Sequence, residues 1–149
     1  TVSARQQFDL PIGVHTVLST VLNVDHFAVL KIELNEAQVT MIEGFGTAPS
    51  HWIHHVANVL KRCKLVDINL PIHDGMEKIG DYKIVKDVFV LQTDMHNCGP
   101  VACGTCWQIL SQGEFSVNEM TLDDLRRMIV ARYQSLIEEH ETSCLLPGA

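Results

Sequence analysis

Cys98 lies in the run Asn97-Cys98-Gly99-Pro100, where a strand-like stretch gives way through a short turn to a helix-like one. Backbone N–H groups at a helix start have no intrahelical partner and favour an anion, so a thiolate is stabilised there. Gly99 leaves room for a substrate carbonyl, and the same N–H groups can hold the oxyanion formed when that carbonyl is attacked. A thiol nucleophile needs a base, and His26 is the candidate among eight histidines. Glu43 can bond one nitrogen of that ring, fix its tautomer and leave the other nitrogen to take the thiol proton. Gln92 precedes Cys98 at the end of the strand-like stretch, where its amide can serve as a second oxyanion donor beside the Cys98 backbone N–H. Taken singly, each residue has an ordinary reading as a buried thiol, a surface imidazole or a solvated polar side chain. Together they describe a cysteine nucleophile with base, orienting acid and oxyanion hole.

The elements that must position these residues follow from hydrophobic spacing. Two strand-like runs, His26 to Leu34 and Ala37 to Glu43, join at Asn35-Glu36. In that hairpin Leu34 faces Ala37, Ile32 faces Val39, Leu30 faces Met41 and Ala28 faces Glu43, which turns one apolar face inward. The other face carries Lys31, Glu33, Gln38 and Thr40 toward solvent. His26 falls on the inward face, diagonal to Glu43 at the open end. A helix is expected from Pro49-Ser50, with Ser50 as N-cap, Trp52, Ile53, Val56, Val59 and Leu60 on its apolar side, and Lys61, Arg62 and Lys64 at its negative end. Val85 to Leu91 reads as a buried strand ending at Gln92, and a helix runs from Gly99 to about Leu110 with Pro100 in its first turn. Thr121 with Asp124 caps a last helix carrying Leu122, Leu125, Met128, Ile129, Tyr133, Leu136 and Ile137 on one side. The expected fold is α+β, a small, mainly antiparallel sheet flanked by helices.

The totals fit one domain over residues 1–149. An apolar fraction of 46% and a charged fraction of 19% are those of a globular chain. A formal charge of −7 argues against general binding to nucleic acid or an anionic membrane, both of which need a basic surface. No stretch reaches the roughly 18 apolar residues of a membrane-spanning helix. The chain begins with Thr1 rather than methionine, so a cut domain or a processed chain is expected. Five cysteines are an odd count for a disulfide scaffold, so a reducing compartment, cytosol or nucleus, is expected.

The run Leu91-Gln92-Thr93-Asp94-Met95-His96-Asn97-Cys98-Gly99 resembles the Gln…(Asp/Asn)-Cys-Gly signature of the ubiquitin-like-protein (SUMO) proteases and the related adenovirus protease. The segments Asp25-His26-Phe27-Ala28-Val29-Leu30 and Met41-Ile42-Glu43-Gly44 resemble their His-strand, turn, strand-acid hairpin, in the same order along the chain. The resemblance implies a papain-like cysteine protease fold in which Cys98 attacks, His26 moves the proton, Glu43 holds His26, and Gln92 shares the oxyanion. It implies no cofactor, and as substrates the C-terminal tails or lysine isopeptide links of ubiquitin-like modifiers. Phe27 stands where SUMO proteases usually have Trp, and Glu43 where they have Asp, Glu being the adenovirus protease's choice. The segment before His26 is shorter than the N-terminal modifier-binding subdomain of these enzymes, so that subdomain is expected to be short or missing. A viral, mobile-element or effector protease of the same fold is an equal expectation.

Other readings remain open at this level. Effector acetyltransferases use a similar triad with coenzyme A, which calls for a basic phosphate site in a chain with eleven Lys and Arg. A catalytically idle domain that only binds a modifier has no physical need of all four site residues. Cys103 and Cys106 form a CxxC without a second pair at zinc-site spacing, and on a helix they share one face, where small thiols pack. His51 and His55 share a helix face and His54 does not; such histidines are more often solvated, and no metal is expected.

Overall fold

A computed structural model describes residues 1–43, 52–87, 98–111 and 121–145. Among these residues five strands form one sheet in the order β1-β2-β3-β5-β4: β1 Thr16–Asn23, β2 His26–Glu33, β3 Gln38–Ile42, β4 Lys78–Ile79 and β5 Tyr82–Asp87. Three α-helices among them accompany it, α1 Ile53–Arg62, α2 Cys98–Leu110 and α3 Leu122–Leu145. The architecture is α+β. Every strand pairing is antiparallel except β3 with β5. That parallel pairing needs a long crossover, which the stretch containing α1 supplies.

The β2–β3 register is the one the apolar alternation demands, with Leu30 opposite Met41 and Ile32 opposite Val39. Strand β2 is an interior strand covered on both faces. Ala28, Leu30 and Ile32 pack with Val39 and Met41 against Trp52, Ile53, Val56 and Leu60 of the α1 segment. Val29 and Ile42, on the other face, pack against Ala102 of α2. The face expected to meet solvent is therefore covered at Val29 and Ile42. Its far end, with Lys31 and Glu33 paired at 2.8 Å, stays half-exposed, and so does Phe27 at the end nearest the site.

Several boundaries depart from the expected ones. Strand β1, unexpected from the sequence, pairs with β2 along its whole length from Thr16–Glu33 to Asn23–His26. Helix α1 starts at Ile53 behind Trp52, without a side-chain cap bond; Pro49 and Ser50 lie outside the described residues. Strand β5 begins three residues before Val85, because the tight Gly80-Asp81 turn, with Gly80 at a φ of 58°, folds it back on β4. Its expected continuation through Leu91 lies outside the described residues. Helix α2 begins at Cys98 itself.

Helix α3 has the expected cap, the Asp124 N–H donating to Thr121 Oγ1 at 3.1 Å. Its apolar stripe is buried only at the start. Leu125 is 1% exposed, whereas Tyr133, Leu136 and Ile137 are 66%, 46% and 42% exposed. The reason is length: at about 1.5 Å per residue α3 far outruns α2, the helix it packs on, and among the described residues nothing covers its second half. No described helix is long and apolar enough to cross a membrane.

Candidate active site

His26 is the first residue of β2, and Glu43 follows the last residue of β3. The shared register brings both to the α1 side of the sheet, and His26 Nε2 lies 2.8 Å from Glu43 Oε2. The imidazole is 14% exposed and the carboxylate 0%. An ionised carboxylate only accepts hydrogen bonds, so Nε2 carries the proton of this contact and exchange with a thiol falls to Nδ1.

A carboxylate so deeply buried is stable only when its charge is compensated. Glu43 Oε1 lies 3.5 Å from the Nζ of Lys86, itself 21% exposed. Lys86 stands on β5 in register with Met41, so the parallel β3–β5 pairing delivers the cation. Trp52, 1% exposed, sets its ring edge-on to His26 with centroids 5.8 Å apart and planes at 61°. That contact shields one side of the ring from water and limits its rotation.

Cys98 is buried, and as the first residue of α2 it sits on the unpaired N–H groups of that helix. Its Sγ donates to the carbonyl of Asp25 at 3.6 Å. Asp25 immediately precedes His26, so the sulfur is held at the mouth of the β1–β2 turn. Among the described residues, a Cβ added at Gly99 would meet the Phe27 ring, at 4.0 Å.

The structure thus brings His26 and Glu43 into contact and tethers Cys98 to the residue beside His26. Gln92 lies outside the described residues. Sequence reasoning missed Lys86 and the role of Trp52. A lysine interrupting the apolar run Ile84-Val85-Lys86 was the available signal for the first; for the second there was none beyond its helix-start position.

The other candidate clusters stay apart from this centre. All five cysteines are free. Burial pushes the Cys106 thiol above its usual range, and nearby Cys103 adds to the effect. Among the described residues no three His, Cys, Asp or Glu side chains gather as a metal site. His54 pairs with exposed Asp74 at 3.1 Å, and His55 packs on Trp52; His51 lies outside the described residues.

No family model matches the chain, and no curated protein sequence matches it. Among solved structures it is similar to the C-terminal Ulp1 protease domain in complex with Smt3, the yeast ortholog of SUMO. That match has a TM-score of 0.51 and 16% identity over 77% of this chain and 48% of that one. The SUMO protease Ulp1 with its catalytic cysteine oxidised to a sulfonic acid matches at a TM-score of 0.51 and 15% identity, over 77% of this chain and 49% of that one. The chain spans about half the length of these Ulp1 structures. Its α+β fold is similar to that of the Ulp1 protease domain.

Proposed function

We propose that this chain is a cysteine protease of the ubiquitin-like-protein protease kind, with Cys98 as nucleophile, His26 as acid and base, and Glu43 as orienting acid. The observation that carries the reading is the buried 2.8 Å His26–Glu43 contact at the mouth of the turn whose Asp25 carbonyl meets the Cys98 sulfur.

In this mechanism His26 Nδ1 takes the proton from Sγ as the sulfur attacks the substrate carbonyl carbon. The carbonyl electrons move to oxygen, and the Cys98 backbone N–H with the Gln92 amide stabilises that oxyanion. Collapse re-forms the carbonyl and breaks the C–N bond, and the leaving amine receives the proton from His26. Water, deprotonated by the same imidazole, attacks the thioester, releasing the carboxylic acid and restoring the thiol. Glu43 stays ionised throughout and stabilises the imidazolium, while Lys86 compensates Glu43.

The substrates proposed are modifier tails or their isopeptide links, because a relative by fold is bound to Smt3 in its solved structure. A reducing compartment suits a catalytic thiol accompanied by four other free cysteines. The test uses ubiquitin, SUMO and related modifiers extended beyond their terminal glycine. Intact-mass analysis should show loss of the extension from at least one of them, and none with Cys98→Ala. Equal processing by Cys98→Ala would refute the nucleophile assignment.

A further inference from the structure

The turn from β1 to β2 closes on the pair Asn23–His26, with Val24 and Asp25 as its two central residues. Both have positive φ, 45° and 62°, the left-handed pattern of a two-residue type I′ hairpin turn. Aspartate tolerates that region. A β-branched residue is an outlier there, because its Cβ crowds the following carbonyl. Asparagine or glycine at position 24 would make the same turn with less strain.

Val24 offers the fold nothing in return, since its side chain is 90% exposed. Its surroundings say more. The next carbonyl, that of Asp25, accepts from the Cys98 thiol. Directly opposite each other across the strands that the turn joins stand Leu22 and Phe27, themselves 49% and 38% exposed. The Phe27 ring reaches toward Gly99 in the first turn of α2. Three apolar side chains therefore stand open to solvent beside the nucleophile, the most exposed of them on strained backbone. Strain at such a place is tolerated when the side chain it presents has work outside the fold.

We propose that Val24, backed by Leu22, is a specificity-determining residue: an apolar lip that receives an apolar side chain of the polypeptide substrate next to the scissile bond. The proposal rests on the protease reading above and deepens it. Losing one apolar contact of this kind costs about tenfold in kcat/KM. The loss enters through KM when the contact is made equally in ground and transition states.

The experiment compares the wild-type chain, Val24→Asn and Val24→Ile on a proteome-derived peptide library, with the ends created by cleavage read by mass spectrometry. Wild type and Val24→Ile should prefer an apolar residue at one position flanking the cut. Val24→Asn should lose that preference and about tenfold in kcat/KM. Its Tm should rise by about 3 °C as the turn relaxes, and its rate of Cys98 alkylation by iodoacetamide should be unchanged. Identical cleavage profiles for wild type and Val24→Asn would overturn the inference and leave the protease reading standing. A wild-type chain that cleaves nothing in the library but trims an extended modifier would also overturn the inference and leave the protease reading standing; one that does neither would overturn both.

Discussion

Replacing Glu43 by glutamine keeps the shape of the side chain and removes its charge. A hydrogen bond to a charged group contributes about 1.5–3 kcal/mol and a neutral one about 0.5–1.5 kcal/mol, so the weakened contact to His26 costs about 1 kcal/mol. Lys86 adds a second cost. Its ammonium only donates, so from 3.5 Å it holds the oxygen of the new amide and turns the NH2 group toward His26 Nε2. An amide N–H facing Nε2 selects the tautomer with the proton on Nδ1, the nitrogen that must accept from Cys98. Flipping the amide gives up the Lys86 contact, about 1.5–3 kcal/mol for a bond to a charged group. The two costs together correspond to a loss of about 10²- to 10³-fold. The assay is the second-order rate of Cys98 alkylation by iodoacetamide at pH 6, with the site mapped by peptide mass, and it needs no knowledge of the substrate. Adding Lys86→Met to Glu43→Gln frees the amide to turn and should recover about tenfold. Glu43→Gln reacting within threefold of wild type, or a double variant slower than the single, would refute the reasoning.

Other consequences are open to direct measurement. Leu125→Ala should cost about 2–5 kcal/mol in denaturant unfolding, whereas Ile137→Ala on the uncovered half of α3 should stay within about 0.5 kcal/mol; equal losses would show that the whole stripe is packed. Burial raises the Cys63 thiol above its usual range, and burial, then Asp81 and Cys63, raise the Tyr82 phenol. For such groups the native state keeps protons that the unfolded chain releases. Their contribution is complete below the unfolded thiol value of about 8.5 and declines as pH rises through the raised native values. Unfolding free energy should therefore fall from about pH 8.5 upward, less steeply at first in Cys63→Ala. A flat profile between pH 8 and 10 would contradict the burial of Cys63.

What was legible in the sequence was local and periodic. The β2–β3 register could be read because Leu30, Ile32, Val39 and Met41 alternate cleanly around Asn35-Glu36, and a one-residue slip would expose all four. The diagonal meeting of His26 and Glu43 came with that register. Strand β1 escaped because Val17-Leu18 and Val21-Leu22 place apolar residues on both faces; as an edge strand it buries only Val21. Lys86 escaped because it reaches Glu43 through a parallel, non-local pairing that no hairpin pattern encodes. The α3 stripe overstated burial, since helical periodicity shows which face is apolar and not whether anything lies against it.

In the function proposed above, Cys98 is a nucleophile driven by His26 toward the tail of a modifier. The most direct measurement is intact-protein and peptide mass spectrometry after incubation with propargylamide probes built on ubiquitin, SUMO and related modifiers. One covalent adduct, located on Cys98, should form in the wild-type chain with at least one probe and be lost in His26→Ala. Adducts that map to exposed Cys103 or Cys144, or an adduct on Cys98 that forms as fast in His26→Ala, would contradict it.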